Sequence, residues 1–150
     1  MVNYWITLSN YYQGPKTENE VSAKEREDQQ WWWYKRGRDT PKEHDKVIIY
    51  QPGNTKVARK YGVKIKDKHQ YRFIGNFTVE DVDPNSYKLR PREKGFLWKE
   101  SEFVDIRPLL NDLVCTSKNI RKWGKWSLTF LNKAWVEISR QDYDLILSRK

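Results

Sequence analysis

The chain has 150 residues, which suits one domain and by size scaling buries about two-thirds of the surface that the unfolded form exposes. Its formal net charge of +9, from 29 Lys plus Arg against 20 Asp plus Glu, directs the search for partners to polyanions, nucleic acid first and an anionic membrane surface second. Only 37% of residues are hydrophobic and the mean hydropathy is -0.98, but 8 Trp, 9 Tyr and 5 Phe supply burial that a disordered chain lacks.

Residues 3–8 alternate and are rich in β-formers, so the first strand begins near the N-terminus. That segment has no basic start, long apolar stretch or small-residue cleavage site, so it does not read as a signal peptide. After a break at 11–15, residues 18–30 carry helix formers and five acidic against two basic residues, which predicts a solvated helix or loop without function. Residues 30–34 read as a strand. A polar turn at 41–46 leads into Val47-Ile48-Ile49-Tyr50, a compact strand of the buried kind that ends at 51–54.

The Lys-rich stretch 55–70 reads as a solvated basic loop. Residues 71–79 alternate through Tyr71, Phe73, Gly75, Phe77 and Val79, which predicts a strand with a bulge at Gly75. A turn at Asp83-Pro84-Asn85 follows, then short strands at 87–90 and 103–106 and a helical turn at 108–113 with proline in its first turn. Residues 126–131 alternate again. Ser139-Arg140-Gln141-Asp142 resembles a capping box, with Asp in place of Glu, and opens a final helix through Leu147. The sum is an α+β chain: a small mixed β-barrel of about six strands with flanking helices, in a single domain spanning 1–150.

Two clusters pair flat aromatic rings with cations. The first is Trp31-Trp32-Trp33-Tyr34-Lys35-Arg36-Gly37-Arg38, and the second runs from Ser117 to Trp126 with Lys118, Arg121, Lys122 and Lys125 around Trp123 and Trp126. Bases stack on aromatic rings for roughly 1–3 kcal/mol each, while Lys and Arg neutralise phosphates. In a strand Trp31 and Trp33 share one face and Trp32 the other, so at least one face of the run is ordinary core. Lys and Arg stems also cover aromatic core residues, which is the structural reading of the second cluster.

Catalytic and metal chemistry find no comparable pattern. His44, His69 and Cys115 match no zinc spacing, no Gly-x-Ser-x-Gly turn presents a nucleophile, and no glycine-rich phosphate loop occurs. No catalytic residue, metal or cofactor is therefore expected. Cys115 is the sole cysteine, which excludes an intramolecular disulfide and fits a reducing cytoplasm. No apolar run approaches the ~20 residues that span a bilayer, so a soluble protein without membrane partners is expected.

The order of these segments resembles the EVE family of the PUA-like superfamily over essentially the whole chain. The likeness is carried by the Tyr-Trp-Ile strand, Ser9-Asn10, a tryptophan after the first helical stretch, and Asp45 through Tyr50. It continues in Arg107 through Leu113, Lys118-Asn119, Arg121-Lys122-Trp123, Lys133-Ala134 and Asp142 through Ile146. EVE domains are similar in fold to YTH domains, which read N6-methyladenine in RNA, and several are thought to read modified bases in DNA. The resemblance implies a non-catalytic reader of N6-methyladenine or a 5-modified cytosine, flipped into an aromatic pocket. By position, Ser9 and Asn10 would bond the base edge, one of Trp31, Trp32 and Trp33 would form one wall, and Trp98 an opposite wall. Lys35, Arg36, Arg38, Lys118, Arg121, Lys122 and Lys125 would hold phosphates, with Trp123 and Trp126 as further stacking rings. Two positions depart from the family pattern: His44 stands where a glycine is usual before Asp45, and aromatic residues replace the usual glycine after the pocket tryptophan.

Two other readings compete. A PUA-like binder of structured RNA would depend on backbone contacts and have no modified-base pocket. A carbohydrate-binding module would also stack its ligand on tryptophan, but a neutral glycan has no use for a charge of +9.

Overall fold

A computed structural model describes residues 1–8, 23–33, 40–53, 66–117 and 135–150, with Glu25 and Trp33 described at the backbone only. The strands are β1 (Tyr4–Leu8), β2 (Trp32–Trp33), β3 (Lys46–Gln51), β4 (Arg72–Asp83), β5 (Lys88–Pro91), β6 (Val104–Asp105) and β7 (Trp135–Ile138). The two helices with described bounds are α1 (Ala23–Gln29) and α2 (Arg140–Ser148). All seven strands belong to one mixed sheet in the order β2-β5-β4-β3-β1-β7, with β6 also on β4. β1 runs parallel to β3 and antiparallel to β7. The class is α+β. Among the described residues the two ends of the strand path, β2 and β7, do not pair, and the described sheet is open.

Strand alternation divides the interior into two cores. Trp5, Val47, Ile49, Phe77 and Val79 face one side, where Ala23 of α1, Trp32 and Phe96 cover them. Ile6, Ile48 and Tyr50 face the other, covered by Leu109, Leu113 and the α2 residues Tyr143 and Ile146. The 71–79 alternation does not hold as a single face. β4 opposes Ile49 with Gly75 and Tyr50 with Phe73, so Ile74 is the extra residue of a bulge beside Gly75. The phase shifts there, placing Phe73 in the second core and Ile74, Phe77 and Val79 in the first.

Gly75 serves a close approach. It bridges to Leu97, and a Cβ at this position would lie 2.4 Å from the Phe96 carbonyl oxygen. The 96–98 segment can therefore lie across β4, and the amides of Asn76 and Trp98 close the crossing on Phe96 and Ile74.

Asp45, 1% exposed, organises the start of the sheet. Its carboxylate accepts from the Asn3 amide at 3.1 Å, the Lys42 amide at 2.9 Å and the Trp5 indole at 2.9 Å. Its carbonyl accepts from the Val79 amide at 2.9 Å. His44, immediately before it, has φ 71°, the left-handed region that glycine enters without steric cost.

The C-terminal segment is fastened in a similar way. Ser139 caps α2 by accepting from the Asp142 amide at 3.1 Å, as its sequence predicts. The buried Asp142 carboxylate then accepts from the Val114 and Cys115 amides at 2.8 and 2.9 Å, capping a helical turn over 114–117. Burial foremost, with the nearby Asp142 charge, pushes the half-buried Cys115 thiol up from its ordinary range. β7 has no counterpart among the predicted strands, and the predicted strand at 126–131 lies outside the described residues.

Three substitutions test this account by urea unfolding. Gly75→Ala should lower stability by about 1–3 kcal/mol through the clash with the Phe96 backbone. Asp45→Ala strands an indole and two amide donors and should cost about 3 kcal/mol. His44→Gly should instead raise stability by about 0.5–1 kcal/mol, because it relieves the left-handed strain.

Candidate nucleic-acid interface

The first aromatic cluster begins where α1 stops. Gln30 takes φ 58°, and the Trp31 amide donates to the Arg26 carbonyl at 3.2 Å, a left-handed helix stop that folds the chain back over its own last turn. The Gln30 side chain clamps the corner by donating to the Glu27 and Lys94 carbonyls at 2.6 and 2.7 Å. The Glu27 carboxylate accepts from the Leu97 amide at 2.6 Å. α1 is thus tied to the same segment that crosses β4, and this fixed corner sets the direction in which Trp31 projects.

Trp31 and Trp32 part company at this turn. Trp32 pairs with Leu89 in the sheet and is 0% exposed. Its indole N–H donates to Thr7 Oγ1 at 3.2 Å, and its ring packs on Phe77 and Phe96 with centroids 5.7 Å away in each case. Trp31 is half-buried and donates its indole N–H to Gln29 Oε1. Two cations stand over its ring: the Arg26 guanidinium 5.6 Å and the Lys88 ammonium 5.1 Å from the centroid.

Trp98 is 7% exposed and belongs to the core on the opposite side of the sheet from Trp32. Its indole N–H donates to Asn76 Oδ1 at 2.7 Å, Asn76 in turn donates to the Tyr143 hydroxyl at 3.3 Å, and Lys150 sits 5.1 Å from the ring. Trp32 and Trp98 therefore do not face each other, because each is packed into a different core. Of the predicted aromatic residues with described side chains, Trp31 is the one that combines partial exposure with adjacent cations.

The other predicted site residues lie outside the described residues: Ser9 and Asn10, Lys35, Arg36 and Arg38, and the second cluster of Lys118, Arg121, Lys122, Trp123, Lys125 and Trp126. At Trp33 the pairing with Lys88 is described.

Two residues of this surface escaped the sequence reading, which assigned 18–30 to a plain solvated face. Arg26 is 8% exposed and stands 4.6 Å from the Trp32 ring as well as over Trp31. Burial lowers its guanidinium to about 10, so it remains a cation at neutral pH. A signal was present: Ala23 and Arg26 are three apart and share one helix face, and Ala23 is wholly buried. Lys88 gave no local signal, since it meets Trp31 only through the β2–β5 pairing. Neither a known family model nor a curated protein matches this chain.

Proposed function

We propose that this chain is a non-catalytic nucleic-acid-binding module of the EVE type, with a PUA-like fold, that stacks a base on Trp31 beside a basic surface. The observation that carries this reading is the half-exposed Trp31 ring held at a fixed helix–strand corner, with Arg26 and Lys88 both within 6 Å of its centroid in a chain of net charge +9. An aromatic face offers any base a stacking surface, and adjacent cations meet the phosphates that flank it. A flipped-out N6-methyladenine or 5-modified cytosine is the preferred ligand, since a base outside its stack needs a ring to replace the lost contacts.

The test is quenching of intrinsic tryptophan emission at fixed moderate salt, with matched single- and double-stranded DNA and RNA, each with and without one N6-methyladenine or 5-methylcytosine. A modification-dependent gain in affinity is expected. Equal, salt-sensitive binding to all of them would favour a backbone binder of structured RNA, and salt-independent binding of neutral glycans would favour a carbohydrate module. Trp31→Ala should weaken oligonucleotide binding by about 1–3 kcal/mol, with a smaller loss of stability than at the fully buried Trp32. Trp32→Ala should do the reverse, costing about 3–5 kcal/mol of stability through the cavity left against Phe77 and Phe96.

A further inference from the structure

Arg26 poses a physical question that its surroundings leave unanswered. A buried guanidinium is ordinarily paired with a carboxylate or bonded to carbonyls, because its desolvation is costly. Arg26 is 8% exposed, and among the described residues its contacts are the rings of Trp31 and Trp32. Its Nε–H is buried without a hydrogen-bond partner. Indole faces attract a cation, but they accept none of its forked hydrogen bonds. Among the described neighbours on the helix, the Glu27 carboxylate accepts from the Leu97 amide and the neutral Gln29 side-chain oxygen accepts from the Trp31 indole, and neither bonds the guanidinium. What the group lacks is an anionic acceptor with paired oxygens, and a phosphate fits that fork bidentately.

We propose that Arg26 is the phosphate-binding residue of the Trp31 surface, a cation held against two indoles with no carboxylate partner among the described residues, so that a phosphate group completes its hydrogen bonds. This rests on the nucleic-acid reading for the source of the phosphate, but not for the anion site itself. A nucleotide whose base lies on Trp31 carries its phosphate at the reach of one ribose, the same scale as the separation between the Arg26 guanidinium and the Trp31 ring centroid, 5.6 Å. Lys88, on the same ring, adds a point charge that any phosphate there would feel.

The site separates binding from stability, and that makes it testable. Arg26→Met keeps the stem and its contact with the indoles while removing a buried ion, so the ligand-free variant should melt at or above the wild-type temperature. Inorganic phosphate, compared with sodium chloride at matched ionic strength, should raise the wild-type Tm and leave that of Arg26→Met unchanged, and Arg26→Lys should retain at most part of the shift. Oligonucleotide affinity of Arg26→Met should fall about tenfold, and the slope of log affinity against log salt should become shallower by about one. A phosphate shift that persists in Arg26→Met overturns the proposal. So does failure of that variant to fold, which would mark Arg26 as structural support for the two indoles. Wild-type protein that gains stability from phosphate but binds no oligonucleotide would leave the anion site standing and overturn the nucleic-acid reading. Oligonucleotide binding lost in Trp31→Ala but intact in Arg26→Met would do the opposite.

Discussion

The buried carboxylate of Asp45 sets the register on which the two cores depend. Its donors come from the chain just before β1, from the turn that leads into β3 and from the indole of Trp5 inside β1, while its own carbonyl fastens Val79 of β4. Three consecutive strands of the sheet order meet at this one residue. Side chains in a strand alternate with period two, so a one-residue slip of β1 would send Trp5 into the core built around Ile6 and bring Ile6 to face Trp32. The Trp5 indole bond to Asp45 is lost in any such slip, and the correct register is favoured by a specific polar contact as well as by apolar area.

The Trp31 surface is a by-product of the same constraint. Thr7, two residues beyond Trp5 on the same face of β1, supplies the acceptor that seats the Trp32 indole, and Trp32 in turn fixes where the helix–strand corner emerges. Trp31 is then one residue outside the core, at a left-handed stop that turns it back over α1. Two adjacent tryptophans of the same run thus meet opposite needs. One is locked by a hydrogen bond and two aromatic neighbours, and the other is held at the edge between cations.

Local signals were legible wherever the cause is local. The alternation of β1, the apolar run of β3, the Ser139 cap and the bulge beside Gly75 all follow from neighbours in sequence, and each is present. Long-range geometry was not. Periodicity put Phe73 and Phe77 on one face, and the bulge that separates them shifts the phase in a way that alternation does not encode. Trp98 is equidistant in character between a pocket wall and a core ring. Only its bond to Asn76 and its place beside Tyr50 and Tyr143 make it core. Arg26 looked like one more charge on an acidic, solvated helix because the rings that meet it, Trp31 and Trp32, lie beyond the helix stop that folds the chain back over its last turn. His44 shows the reverse case, a residue whose identity gives no hint of the left-handed backbone angle that its turn requires.

The placement of β1 has a consequence for how the chain assembles. β3, β4 and β5 follow one another as antiparallel neighbours, so their pairing closes over intervening segments that are short compared with the rest of the chain. β1 instead waits for a parallel partner some 42 residues downstream, the separation of Asn3 from Asp45, and its other edge is covered only when β7 arrives near residue 135. During synthesis β1 therefore emerges well before either of its partners, and until they arrive it presents a hydrogen-bonding edge rich in apolar side chains. Such edges are templates for pairing between chains. Truncation before β7 should favour aggregation through this strand, so β1 depends for its protection on an element some 130 residues further along the chain.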